Sequence, residues 1–518
     1  MQSFLQRHAT EIKGVLSGFD RIRFRGTIRW LASLRGMATF LGTMHVLLKD
    51  FNGWAKDRTE QIRGASEHLA ADAGRPLIYL TSSLQRKEHV ALEIAARDGI
   101  REGLVCVLTC VEPCASFKVG PNKATHLLEL RYGPMKCLHH YFYLLDRRMG
   151  LMHLRLQTWA PFTVQVCING REWLARQLAA KGIRFQQRDN CFVDVGCSRR
   201  AQALLDSQLR TDWVGLLDGL LRKVHPAHPT LFGDRPLDYY WSADETEWAT
   251  DVLFRSREAL AHVYPRLLRH AVTTFGSGDV LRFLGQSPRV RLYKTAEITS
   301  SLKTRPEGTR VKHARNRNSL KMYDKQETVL RVETTINDPR DLKVLRPKEG
   351  EPEGRKQWRR LRKGVADIHR RAEVSQKSNE RYLEALAVVD QSASLGETVR
   401  PLCQPTRWRG RSVRGLQPLA APDAPLLAAI ARGEFLIAGF RNRDLRALLC
   451  GNEEASPAEV KRQAAKITRL IRLLRAHRLV QKVPKTHRYQ LTKHGRAAVT
   501  ALAAAQQATI KALTELAA

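Results

Sequence analysis

From Cys137 to Trp159 the chain reads CLHHYFYLLDRRMGLMHLRLQTW, with polar and apolar side chains alternating on both sides of Asp146-Arg147-Arg148-Met149-Gly150. Period-two alternation belongs to strands, and two such runs around a turn-forming segment predict an antiparallel hairpin. If Leu145 pairs with Leu151, then Tyr143 faces His153, Tyr141 faces Arg155 and His139 faces Gln157. One face then collects Tyr, His, Arg and Gln, as a solvent-facing or working surface. The other carries Leu138, Phe142, Leu144, Met152, Leu154 and Leu156, interrupted by His140. Amphipathic helical patterns such as Lys56 to Ala73 and apolar runs such as Gly103 to Val111 accompany the hairpin. Residues 1–300 are therefore expected to form an α/β or α+β body with an antiparallel sheet.

Charge limits what such a body can do. The 518 residues carry 87 Lys plus Arg against 51 Asp plus Glu, a formal net charge of +36. A compact protein with that excess repels itself unless a polyanion neutralises it, and each phosphate contact releases a counterion. DNA is the expected partner, with RNA as the alternative and a homodimer left open. An anionic membrane surface would call for a basic amphipathic segment, whereas here the cations are spread over several regions. No apolar run is long enough to span a bilayer, and nine scattered cysteines fit a reducing compartment, so a cytoplasmic location is expected. No phosphate-binding glycine loop or dinucleotide fingerprint is present, so no nucleotide or redox cofactor is expected. Arg21, Arg23 and Arg25 alternate along a strand-like segment as a phosphate-facing ridge, and Arg23 and Arg25 join Tyr141, Tyr143 and Arg155 as candidate nucleic-acid contacts. The acidic, aromatic run from Asp238 to Trp248 reads as a shield for a basic neighbour or a helix cap.

Residues 301–389 read as a basic, strand-rich and helical segment in which Arg355, Lys356, Arg359, Arg360, Arg362 and Lys363 surround Trp358. Residues 390–425, rich in Pro, Gly, Ser and Arg, read as a linker. Residues 426–518 then offer a short helix at Leu426 to Arg432, a second capped by Asn442, and a third announced by Ser456-Pro457-Ala458-Glu459. In the third helix Val460, Ala464, Ile467, Ile471 and Leu474 make one apolar stripe. Two strands, Leu479 to Val483 and Arg488 to Leu491, and an Ala-rich helix complete the order. It resembles the winged-helix DNA-binding domains, which implies a helix in the major groove and a basic wing on the backbone. Arg462, Arg469, Lys485, His487 and Arg488 are the residues that the resemblance places there.

Three chemistries compete for the body. The segment SLKMYDKQETVLRVETTIND, residues 319–338, reads as two strands and is similar to replication initiators of filamentous phages and related plasmids. The resemblance implies rolling-circle chemistry: Tyr323 as nucleophile, Lys325 or Lys321 steadying its charge, and Glu333 helping to hold Mg²⁺ or Mn²⁺. His153 and Gln157, with His139 opposite, resemble the metal ligands of single-strand endonucleases of the HUH class, with Arg155 where that class carries its second ligand. Asp20, Glu129, Asp146 and Glu333 are the material for a carboxylate, transposase-like nuclease. As a whole the chain resembles long bacterial proteins, a likeness that transfers no activity. The expected function is a DNA-binding protein of mobile-element or replication-initiator type with tyrosine-dependent strand cleavage and joining. A noncatalytic transcriptional regulator or RNA-binding protein is the alternative.

Overall fold

A computed structural model describes residues 1–225, 227–233, 237–286, 297–305, 308–351, 353–387, 395–432, 435, 439–451, 456–483 and 486–508. In chain order the strands are β1 (Ile12–Ile28), β2 (Leu77–Leu80), β3 (Gly103–Pro121), β4 (Leu128–Asp146), β5 (Gly150–Gln157), β6 (Val164–Asn169), β7 (Phe185–Arg188), β8 (Cys191–Val195) and β9 (Tyr239–Phe254). They continue with β10 (Ile298–Arg305), β11 (Gly308–Arg315), β12 (Asn318–Lys325), β13 (Val329–Ile336), β14 (Lys343–Arg346), β15 (Gln357–Arg360), β16 (Thr406–Trp408), β17 (Arg411–Val413), β18 (Val480–Lys482) and β19 (Tyr489–Leu491). The fold is mixed α/β, built on a large and mostly antiparallel sheet.

Two compact units divide the chain. One comprises Met1–Lys13, Phe254–Val332 and Lys377–Ala518, the other Gly14–Leu253 and Glu333–Gln376. In the latter, β9, β1, β6, β5, β4, β3 and β2 lie side by side in that order. The β4–β5 hairpin has the register expected from its alternation, with His139 opposite Gln157, Tyr141 opposite Arg155, Tyr143 opposite His153 and Leu145 opposite Leu151. Asp146 closes the turn, its Oδ1 accepting from the Arg148 and Met149 amides at 2.8 Å. β2 runs parallel to β3.

The apolar face of the hairpin is packed: Phe142, Leu144, Met152, Leu154 and Leu156 are all buried. His140, the interruption in that face, has its Nδ1 2.8 Å from the Ser66 hydroxyl on the helix Phe51–Asp72. The polar face is not an open surface. The helix Lys87–Arg97 lies over part of it, and Ala91, Ile94 and Ala95 enclose Tyr141 and Tyr143 with Cys106, Leu108 and Cys110.

Burial gives this unit a built-in acid sensitivity. It pushes His140 down to about 4 and His225 down to about 3. An unfolded histidine titrates near 6.5, so between pH 6.5 and about 4 the unfolded chain binds the protons that the folded chain refuses. The stabilisation is complete above pH 6.5 and drains away as pH falls, by up to ~1.4 kcal/mol per pH unit for each histidine. Urea denaturation at pH 7, 6, 5 and 4.5 is expected to show a falling midpoint, and His140→Gln to remove about one proton from the slope. A midpoint flat over that range would contradict this account.

In the other unit β10, β11 and β12 form an antiparallel meander, with Arg310 opposite Tyr323 and Lys312 opposite Lys321. The expected two-strand reading of residues 319–338 holds, the turn between β12 and β13 falling at Gln326 and Glu327, both with positive φ. Residues 395–403 of the expected linker are a helix and residues 406–413 a short hairpin. Helices Asp423–Ala431, Asn442–Leu449 and Pro457–Ala476, the β18–β19 pair and the helix Lys493–Gln507 then follow. They share a core that includes Leu445, Ile467, Ile471, Leu474 and Leu491. The Ser456 hydroxyl caps the third helix, accepting from the Glu459 amide at 3.3 Å. Asn442 is not the cap of the second. Asp444 instead accepts from the Arg441 amide at 2.7 Å, while the Asn442 amide donates to the Ala464 carbonyl and Thr468 hydroxyl at 2.9 Å, tying the second helix to the third.

Candidate metal centre

Asp20 follows Phe19 on β1, and Glu247 precedes Trp248 on β9. The Phe19 and Trp248 rings meet edge to face at 4.9 Å, and the Trp248 indole donates to the Gln376 side chain at 2.8 Å. Alternation along a strand sends the neighbouring carboxylates to the opposite side. There Asp20, Glu247 and Glu333, the last from the second half of β13, each bring one oxygen within 4.8 Å of the other two. All three are buried, at 6%, 8% and 3% exposure.

Three carboxylates at that separation, out of water, repel one another unless a cation or protons intervene. The chain supplies part of the compensation. The helix Gly170–Ala180 starts directly after β6, its first turn capped by the Asn169 side chain, which accepts from the Arg171 and Glu172 amides. Gly170 permits this approach, because a Cβ there would stand 1.9 Å from the Phe19 carbonyl oxygen. Arg171 is thereby buried completely, Nη2 3.0 Å from Asp251 Oδ2 and Nε 3.5 Å from Asp20 Oδ1. Asn190, in the β7–β8 turn, donates to both Asp20 oxygens at 2.8 Å. Arg21 lies 3.1 Å from Glu247 Oε2. The donor set, all carboxylate oxygen, suits a hard divalent ion such as Mg²⁺ or Mn²⁺.

Asp20 and Glu247 form part of the wall of a cleft of about 610 Å³, together with Arg21, Arg23, Arg155, Tyr141, Tyr143 and His153. Glu112 organises the far side: its carboxylate accepts from the Tyr141 hydroxyl at 2.6 Å and from Arg155 at 2.9 Å, and Lys87 sits 2.8 Å away. Burial alone would raise the Glu112 carboxyl, but Lys87, Tyr141 and Arg155 outweigh it and hold the group below its usual range. Burial pushes the Tyr141 and Tyr143 phenols well up, so both remain protonated at neutral pH. Burial, reinforced by Arg23 and Arg155, pushes His153 down to about 4, leaving a neutral imidazole in the cleft.

The sequence-predicted residues are dispersed by this geometry. Tyr141, Tyr143, Arg155 and Arg23 come together in the cleft wall. Arg21, Arg23 and Arg25 do form a ridge, but Glu245, Glu247 and Asp244 of the acidic run pair with it, the shielding role expected of that run. His153, Gln157 and His139 are engaged separately. His153 and Gln157 are four residues apart on one strand, roughly 13 Å. The Gln157 amide is spent on Ser116, Ala115 and Thr163, and His139 Nδ1 lies 3.0 Å from the Cys137 carbonyl. Tyr323 and Lys325 are each 9% exposed on β12, Lys321 is half-buried, and the Arg310 guanidinium lies 5.8 Å from the Tyr323 ring centre. These three belong to one unit and Glu333 to the other. Of the acidic candidates, Asp146 closes its turn and Glu129 is a half-buried partner of Arg131, while Asp20 and Glu333 enter the triad. Glu247 was legible only as part of an acidic run. Arg462, Arg469 and His487 are exposed, Arg488 is half-buried, and Lys485 lies outside the described residues.

Comparison of the chain with protein-family models, with curated proteins and with solved structures returns no match. Among the described residues no helix is long and apolar enough to cross a membrane.

Proposed function

We propose that this chain binds nucleic acid, DNA in the first instance, and cleaves its strands in a reaction that depends on a divalent cation held by Asp20, Glu247 and Glu333. The observation that carries the reading is the buried carboxylate triad, with two of its members lining a cleft that also presents Arg21, Arg23 and Arg155. Carboxylates alone would repel a phosphodiester; Arg21, Arg23 and Arg155 offset part of that negative charge by pairing with Glu247, Glu245 and Glu112, and a bound cation would supply the attraction. A bound Mg²⁺ or Mn²⁺ would polarise a phosphate oxygen and lower the pKa of the attacking group. Asn190 and Arg171 hold Asp20 in place, so the carboxylate is oriented before any substrate arrives. Held down to about 4, the His153 imidazole is neutral and a weak base, and the Tyr141 and Tyr143 phenols are poor nucleophiles in their raised range, so activation of the attacking group would fall to the cation.

Duplex binding is assigned to residues 426–518 as a winged helix. The order of helices and the β18–β19 pair supports it, as does the exposure of Arg462 and Arg469 on the side of their helix away from buried Ile467 and Ile471. Cleavage and duplex recognition in one chain suit an enzyme of mobile-element or replication type. Tyr323 gives a second reading of the nucleophile, favoured by the spacing of Lys321 and Lys325 on its own strand and by the Arg310 guanidinium beside its ring. Labelled single-stranded and duplex DNA pools incubated with Mg²⁺, Mn²⁺ or EDTA and resolved on denaturing gels test the proposal. Metal-dependent products are expected. A protein–DNA adduct that disappears in Tyr323→Phe would assign the nucleophile to Tyr323, and free ends without an adduct would assign it to water. Products that persist undiminished in EDTA would sink the metal-dependent reading.

A further inference from the structure

β14 and β15 form a short two-stranded ribbon whose two faces differ sharply. Lys343 stands opposite Arg360, Val344 opposite Arg359, Leu345 opposite Trp358 and Arg346 opposite Gln357. Period two assigns Lys343, Leu345, Trp358 and Arg360 to one face. The other face is anchored: Val344 is 5% exposed in a cluster with Ile336, Leu342 and Leu361. Next to the ribbon, Arg362 and Arg370 bind the buried Asp367 carboxylate at 3.0 and 2.8 Å. The ribbon is therefore held rigidly from behind while its front is bare. Trp358 is 69% exposed and Leu345 52%, with exposed Lys343 and Arg360 beside them and exposed Lys356 just before the strand.

An indole this exposed wastes the large area that such a ring gains by burial, so the face calls for a partner. Charge selects among partners. A second copy of this face would bring Lys343, Lys356 and Arg360 against themselves, which disfavours self-association. Cations two residues either side of an aromatic ring, roughly 6.6 Å away along the strand, match a polymer that alternates anionic and aromatic groups. We propose that the β14–β15 ribbon is a docking platform for single-stranded nucleic acid, Trp358 stacking on a base and Lys343, Lys356 and Arg360 contacting the flanking phosphates. This inference rests on the reading of the protein as a nucleic-acid enzyme and adds the strand-capturing surface.

Fluorescence anisotropy with labelled dT20 in EDTA, using the full chain at several salt concentrations, tests it. Trp358→Ala is expected to weaken binding about tenfold, with Trp358→Phe restoring most of it. Lys343→Ala with Arg360→Ala is expected to reduce the slope of log affinity against log salt by about 1.4, at about 0.7 for each phosphate contact on a single strand. If Trp358→Ala binds dT20 as tightly as the wild type while metal-dependent cleavage remains, the ribbon assignment fails and the nuclease reading stands. If the wild type binds neither dT20 nor duplex, both fail. If light scattering shows a wild-type dimer that Trp358→Ala converts to monomer without changing DNA binding, the face is a self-association surface and the proposal is overturned.

Discussion

Glu247→Gln is expected to abolish strand cleavage, lowering the rate about a thousandfold or more while leaving the fold intact. The substitution keeps the shape of the side chain and removes one of three negative charges whose oxygens lie within 4.8 Å of one another. A thousandfold loss corresponds to ~4 kcal/mol of transition-state stabilisation, within what a metal-assisted phosphoryl transfer draws from its ion. Asp20→Asn is expected to behave alike, with the added disturbance that Asn190 now donates to an amide rather than to a carboxylate. Retained cleavage in Glu247→Gln, measured on the same substrates and at the same metal concentration, would exclude the triad from the chemistry.

Arg171→Met is expected to cost about 3–5 kcal/mol of stability, the range for removing one partner of a buried ion pair. Methionine approximates the volume of the lost side chain but leaves Asp251, itself fully buried, and Asp20 without the guanidinium that lies 3.0 and 3.5 Å away. The double variant Arg171→Met, Asp251→Asn should recover a substantial part of the loss, since it also removes the charge that Arg171 paired. Urea midpoints of the wild type, both single variants and the double variant measure this. Equal midpoints for wild type and Arg171→Met would show that Arg171 contributes nothing to the electrostatics of the centre.

Local order was largely legible in the sequence, and long-range assembly was not. The β4–β5 register followed from alternation about a five-residue turn, because a slip by one residue would have turned Phe142 and Leu154 outward. The Ser456 cap was equally visible, being a contact across three residues. Asn442 shows the limit of that logic: its side chain serves another helix, which no local pattern announces. Alternation also places Tyr141 and Tyr143 on one face without saying what covers it, and the cover is a helix that precedes β3 in the chain. The triad is the extreme case. Asp20 and Glu333 were candidates, but they meet Glu247 only because β1 and β9 lie side by side and because Phe19 and Trp248 pack edge to face. Residues 395–403 read as linker because Pro401 breaks the helical pattern, yet the helix accommodates it.

The most direct measurement is Mn²⁺ binding to the full chain, followed by titration with paramagnetic resonance detection, for the wild type and Glu247→Gln in parallel. The structure predicts at least one bound ion per wild-type chain that Mg²⁺ displaces and that Glu247→Gln loses. Equal Mn²⁺ binding by the two proteins, or none by the wild type, would contradict a metal centre at Asp20, Glu247 and Glu333.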